Sequence, residues 1–375
     1  MILALLFSPR AYGSISGLLE DFSGLGEHAG LHDPDWNLAG DNGEFTDGAL
    51  SLDHRPREGY RMQRIINGSG SFRTILEFRD LDLGFRSAER DWPGFAISHL
   101  LSRPGLGGVG AWLFDLEGDW IFMALAARNN DPGVTLEPAR NVPIRITITM
   151  DFPTREIFVT YDMNPMDGGE PLVFGPFEYP VTISDFQDFD IITSAGDSTM
   201  RAKLDYLSIL PLDAAPGDFS GDGELDLDDL EMMTRATRID RVDSLFDLDG
   251  DTQVDANDIA FWVRELGYSY IGDANLDGEF NSSDLVLVFN AGEYEDAVSG
   301  ASIWYSGDWN GDGDFTTADL VFAFQDAGYE MGPRPALHAI PEPDCGGIAC
   351  FFALVSMLRC CWPRRHFVRD QRPNG

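Results

Sequence analysis

DANLDGEFNSSD (residues 273–284) carries carboxylates or an amide at its first, third, fifth and twelfth positions, glycine at the sixth and an apolar residue at the eighth. Three other stretches repeat the scheme: DFSGDGELDLDD (218–229), DLDGDTQVDAND (247–258) and DWNGDGDFTTAD (308–319). Their starting points lie 29, 26 and 35 residues apart. A single match to so short a pattern says little, whereas four in register decide how this third of the chain is read. Each stretch leads into about two turns of apolar residues. These are Leu230 and Met233, then Ile259, Phe261, Trp262 and Val263, then Leu285, Val288 and Phe289, and last Leu320, Phe322, Ala323 and Phe324. Gly267, Gly292 and Gly328 stand where such helices would end. The unit is a loop followed by a short helix.

Oxygen donors at positions 1, 3, 5 and 12, with a backbone carbonyl from position 7, surround one hard cation, and glycine at position 6 admits the sharp turn. This is the spacing of an EF-hand-type calcium loop. The loop-then-helix unit, without a long entering helix, resembles the dockerin type I repeat, D-x-N-x-D-G-x-x-x-x-x-D followed by Leu or Ile. The resemblance implies Ca2+ as the cofactor and a ligand set for each loop. The first would use Asp218, Ser220, Asp222 and Asp229 with the carbonyl of Glu224, and the second Asp247, Asp249, Asp251 and Asp258 with that of Gln253. The third would use Asp273, Asn275, Asp277 and Asp284 with the carbonyl of Glu279, and the fourth Asp308, Asn310, Asp312 and Asp319 with that of Asp314. Thr252 replaces the position-6 glycine of the second loop, which is therefore expected to bind most weakly. Ser220 is a neutral ligand in the first, and the third and fourth are expected to be the best formed. Two-turn apolar stripes cannot fold alone, so the repeats are expected to pack in pairs, one with two and three with four. Clustered carboxylates repel, so folding should be coupled to calcium.

Charge agrees with this reading. The 375 residues hold 63 acidic and 26 basic side chains, a formal charge of −37. Between 213 and 340, 29 acidic residues face five basic ones. Such a field repels nucleic acid and attracts cations.

Upstream the pattern changes to β. Apolar and polar residues alternate over 71–78, 144–150 and 156–161, with Gly, Pro, Asp and Asn clusters between them. Many such strands over about 190 residues predict a two-sheet sandwich from 20 to 212. The opening Asp21-Phe22-Ser23-Gly24, Asp33-Pro34-Asp35-Trp36 and Gly48-Ala49-Leu50-Ser51-Leu52, with the closing Ala202-Lys203-Leu204-Asp205-Tyr206-Leu207-Ser208-Ile209, resembles the laminin-G/concanavalin A-like jelly-roll superfamily. That resemblance implies sugar as a ligand class, with Trp92, Trp112 and Trp120 as candidate stacking residues beside the alternative that they are core. Glucanases of the superfamily carry two Glu flanking an Asp on one strand. The nearest stretch here, Asp115-Leu116-Glu117-Gly118-Asp119, has the wrong order and reads as a turn. Gly196-Asp197-Ser198 reads as a loop, and His28, His32, His54, His99, His338 and His366 lack metal-ligand spacing. The expectation is a non-catalytic domain.

Each end has a segment whose pattern bears on export. MILALLF (1–7) with the small residues after it reads as a truncated export signal over 1–19 or as a buried strand. All four cysteines lie at or beyond Cys345, with Cys350, Cys360 and Cys361, and the cysteine-free body fits an exported protein. Residues 211–217 read as a domain linker, 213–332 as the repeats and 333–345 as a second linker with Pro341-Glu342-Pro343. The apolar run from Gly346 to Trp362 and the basic end with Arg364, Arg365, Arg369 and Arg372 follow, within a 346–375 tail. Pro-Glu-Pro, short span and basic end resemble the PEP-CTERM sorting signal. This implies a single transmembrane-like helix, transient membrane attachment and processing by an exosortase-like enzyme. The fold class expected is thus a mainly β jelly-roll sandwich, a small α-helical dockerin or EF-hand-like module and that terminal span. The function expected is an exported cell-surface protein that binds an extracellular polysaccharide. The rivals are an assembly component bound by a cohesin-type partner and a divergent polysaccharide-processing enzyme.

Overall fold

Ile144, Ile146, Ile148 and Met150 are buried, and Arg145, Thr147 and Thr149 between them are half-buried. A period of two places one face of this segment in a core and leaves the other outside. The computed structural model describes residues 17–334 apart from 23–35, 41–42, 46–48, 69, 85–92, 102–107, 118, 127–128, 131–133, 137–141, 166–168, 179–185, 197 and 240–241. The first strands are β1 (Leu18–Glu20), β2 (Asn37–Gly40), β3 (Gly43–Phe45), β4 (Leu50–His54), β5 (Gly59–Gly68), β6 (Phe72–Leu83), β7 (Gly94–Leu101) and β8 (Gly108–Leu116). They continue as β9 (Asp119–Ala126), β10 (Asn129–Asn130), β11 (Val134–Leu136), β12 (Ile144–Asp151), β13 (Glu156–Met163), β14 (Leu172–Glu178), β15 (Phe186–Ser194) and β16 (Met200–Pro211).

Two antiparallel sheets result. One runs β14-β13-β12-β6-β16-β4-β3 with β1 on β16, and the other β10-β9-β8-β7-β15-β5-β2 with β11 on β9. Their inner faces share a core that includes Phe72, Phe78, Trp120, Phe122, Ile146 and Phe189. The expected sandwich is present, and the three expected strands are β6, β12 and β13. Leu18 and Leu19, which the sequence allots to a leader, belong to β1 and pair with β16. Residues 1–16 and the expected span and basic end at 346–375 lie outside the described residues. No described helix is long and apolar enough to cross a membrane.

Beyond β16 lie α1 (Leu227–Ala236), α2 (Ala256–Phe261, extended by a π turn to Leu266), α3 (Ser282–Ala291) and α4 (Thr317–Gln325). Repeats three and four pack reciprocally, Phe280 against Phe324 and Phe289 against Phe315, both at 5.5 Å. Repeats one and two meet through Phe219 and Phe246 at 4.3 Å and through the Trp262 indole, which donates to the Gly217 carbonyl at 2.9 Å.

The pairs are not independent of the sandwich. Leu19, Ile75, Tyr206 and Leu210, on the outer side of the first sheet, share one core with Phe219, Met233, Trp262, Trp304 and Phe280. Six consecutive residues of β16, Tyr206–Pro211, are therefore buried, as expected of a strand covered on both faces. Residues 211–217 make a tight junction rather than a free spacer. Leu212 N–H donates to Ser71 O at 2.9 Å, Ser71 N–H to the Asp213 carboxylate at 2.6 Å, and Arg73 grips Asp243 with two bonds of 2.9 and 3.0 Å. The described residues, 17–334, belong to one compact unit.

Candidate metal centres

The four loops close by the same hydrogen bonds. Asp at position 1 accepts from the position-6 amide: Gly223 to Asp218, Thr252 to Asp247, Gly278 to Asp273 and Gly313 to Asp308, at 3.2, 3.0, 2.7 and 2.9 Å. Asp at position 5 accepts from position 7, from Glu224, Gln253, Glu279 and Asp314 onto Asp222, Asp251, Asp277 and Asp312. Position 3, occupied by Ser220, Asp249, Asn275 and Asn310, accepts from the position-5 amide in turn.

The helices begin at position 10, three residues before the first residue of the apolar pattern. Asp226, Asp255, Asn281 and Thr316 at position 9 act as N-caps, and Asp229, Asp258, Asp284 and Asp319 complete capping boxes from position 12. The sequence signal was an Asp, Asn or Thr three residues before each of those aspartates.

Depth divides the donors. Asp218, Asp273, Asp308 and all four position-12 aspartates are buried, whereas Asp222, Asp251, Asp277 and Asp312 are exposed. Burial pushes the Asp229 and Asp273 carboxyls up to about 6. It pushes Asp308 up to about 7 against the opposing pull of Arg238, with Asp319 adding repulsion. Asp284 and Asp319 are raised by burial as well. Buried carboxylates crowded by like charge are costly unless a cation joins them. Hard oxygen donors on tight turns suit a calcium-sized ion better than a soft one.

Two trios bring carboxylate oxygens within 4.8 Å of one another: Asp247, Asp249 and Asp258 in the second loop, and Asp308, Asp312 and Asp319 in the fourth. Among the described residues the first and third loops form no such acidic trio. The acidic trios thus fall in the second and fourth loops, whereas the sequence ranks the third and fourth highest and the second lowest. Thr252 takes φ 76 and delivers its amide to Asp247 as glycine would, so the turn closes in spite of the branched side chain. In the third loop position 4 is Leu276 at φ 52, where the others have Gly221, Gly250 and Gly311. Its Asp273 is further engaged by the hydroxyl of Ser269.

On the sandwich, Trp120 points inward and is fully buried, which removes it as a stacking residue. Trp92 lies outside the described residues. Trp112 is 38 % exposed, on the outer face of the second sheet, because its neighbours Ala111 and Leu113 take the inner one. Cross-strand pairing sets Met123, Trp112, Ala96, Ile192 and Arg61 in one row across that face. Arg61 pairs with the buried Asp190 at 2.9 Å. Glu117 sits in the β8–β9 turn at φ 60, and His54 is a core residue 2.7 Å from the Thr193 hydroxyl.

No family model matches the chain, and no curated protein matches it. Among solved structures it is similar to peanut lectin with a nine-residue peptide, at 14% identity over 52% of this chain and 96% of that one, TM-score 0.36. It is similar to the Ca2+-bound exoplasmic/lumenal domain of VIP36, at 12% identity over 55% and 93%, TM-score 0.36. It is also similar to the CBM2 module of an evolved Dit protein from Lactobacillus casei BL23 phage J-1, at 13% identity over 53% and 96%, TM-score 0.39. No family is assigned on likenesses of this size.

Proposed function

We propose that this is an exported, non-catalytic surface protein whose helical layer is held by calcium and whose sandwich binds polysaccharide. The observation that carries the calcium part is the fourfold repetition of one loop with buried carboxylates at its base. Trp112 carries the sugar part. An exposed indole on the outer face of the second sheet offers a flat apolar platform to a pyranose ring. Arg61, three strands along the same row beyond Ala96 and Ile192 and paired with Asp190, offers hydrogen bonds to hydroxyls further along a chain of sugars. The non-catalytic reading is supported by the position of Asp115, Glu117 and Asp119 at a hairpin end, where Asp115 is buried while Glu117 and Asp119 are exposed. Export rests on the terminal segments alone, and intact mass of the protein from its native cell envelope tests it by reporting whether both ends are trimmed.

A second reading is favoured by one observation. The outer faces of α3 and α4 match position for position: Ser282, Ser283, Val286 and Phe289 on one, Thr317, Ala318, Val321 and Phe324 on the other, all exposed. Paired apolar faces of this kind suit a protein partner of cohesin type. One assay separates the two readings. The calcium-loaded protein is expected to bind on an array of bacterial and plant polysaccharides, without turnover, and Trp112→Ala should weaken that binding at least about tenfold. An array left silent, with a cohesin module retained in calcium and released by chelator, would replace the first reading by the second.

A further inference from the structure

The helix α1 differs from its three counterparts. Seven of its ten residues are buried, against two in each of α3 and α4. Its N-terminal end belongs to the first loop. Asp226 caps it, and Asp229 accepts from the amides of Ser220 at 2.8 Å and Asp226 at 3.2 Å. Its C-terminal end belongs to the fourth loop. Thr237 Oγ1 donates to the carbonyl of Gly311 at position 4, at 2.7 Å. Arg238 donates to the carboxylate of Asp308 at position 1, at 2.5 Å, and to the carbonyls of Ser302 and Gly300 at 2.7 and 3.3 Å. A Cβ on Gly311 would lie 2.3 Å from Thr237 Oγ1, so the loop and the helix end meet without slack. Arg238 pairs with Asp308 through Oδ2, which also takes Gly313, while Oδ1 takes Gly311.

We propose that α1 couples calcium binding at the first and fourth loops, a proposal that rests on the calcium reading above. An ion in the first loop fixes Asp229 and with it the helix. Thr237 and Arg238, about 14 Å further along the axis, then hold Gly311 and Asp308 where the fourth ion needs them. By linkage the fourth ion tightens the first to the same extent. Direct repulsion between two ions beyond a Debye length is largely screened and has the opposite sign, so positive coupling is the mark of the helix.

The test uses the intact protein labelled with 15N-glycine and titrated with calcium in chelator-buffered steps. The amides of Gly223 and Gly313, which donate to Asp218 and Asp308, report the two loops separately. Asp222→Ala removes an exposed donor of the first loop and spares the cap and Asp229. It is expected to abolish the Gly223 transition and to raise the calcium midpoint at Gly313 about tenfold. In a Thr237→Val/Arg238→Ala background the same substitution should move the Gly313 midpoint less than about twofold. An unmoved Gly313 midpoint in the first comparison, or an undiminished shift in the second, overturns the coupling. Should the double variant fail to fold, Thr237→Val alone, which removes one hydroxyl, must reduce the shift. A parent protein in which neither glycine responds to calcium overturns the calcium reading and the coupling together, whereas two independent transitions overturn the coupling alone.

Discussion

Removing calcium from the intact protein lowers its thermal unfolding midpoint by about 15 °C, and the loss reaches the sandwich as well as the helices. Each loop held at a hundred times its Kd adds about 2.7 kcal/mol, so four add about 11 kcal/mol. For a compact unit of this size 1 kcal/mol moves the midpoint by roughly 1.5 °C. The reason the effect spreads is the shared core. Ile75, Tyr206 and Leu210 of the first sheet are covered by Phe219, Met233 and Trp262, and these are positioned by the loops. When the loops open, the outer side of β6 and β16 meets water. Trp262, Trp304 and Trp309 are fully buried, so in the calcium-free protein the red shift of their emission and the loss of helical circular dichroism should both come at the lowered midpoint. A midpoint within a few degrees of the loaded protein by both signals would exclude calcium as the element that holds this layer.

Much of this could be read in the sequence because it depends on local rules. The alternation of β12 shows a half-buried strand, and the loops show their donors, since turn geometry and donor spacing are set within twelve residues. What escaped was long-range. Nothing in the sequence near Arg238 announces a partner 70 residues away, although it is one of only five basic residues among 29 acidic ones in the region. The double-sided burial of β16 was visible as an apolar run at its end, yet a covered outer face and a strand terminus read alike until the covering layer is known. Position 4 was legible and unused: three of four loops carry glycine there and the third carries Leu276 at φ 52, yet the first loop, with Gly221, also lacks an acidic trio, so position 4 alone does not decide convergence. Thr252 makes the same amide bond to its position-1 aspartate as the glycines of the other loops, so the turn forms while the branched side chain still carries the cost of a positive φ.

The buried carboxylates give the metal-free and loaded proteins opposite responses to pH. In the metal-free fold Asp229 and Asp273 hold their protons up to about 6 and Asp308 up to about 7, because burial penalises the charged forms, whereas unfolded aspartate titrates near 3.8. Between these values the folded chain binds more protons than the unfolded one. Stability is therefore greatest on the acid side and falls as pH rises through the window. Keeping a carboxyl ionised in the fold at neutral pH, when its folded value is near 6, costs about 3 kcal/mol, so three of them matter. Calcium reverses the sign, because it binds the ionised forms and is displaced by protons: the loaded protein gains stability over the same rise in pH. Melting curves at about pH 5 and pH 7.5 should show the calcium-free protein more stable at the lower pH by at least about 5 °C and the calcium-saturated protein more stable at the higher. Relief of the overall charge of −37 would stabilise both forms on acidification, so it cannot produce opposite slopes. Slopes of one sign in both conditions would mean that the loop carboxylates do not face the ion.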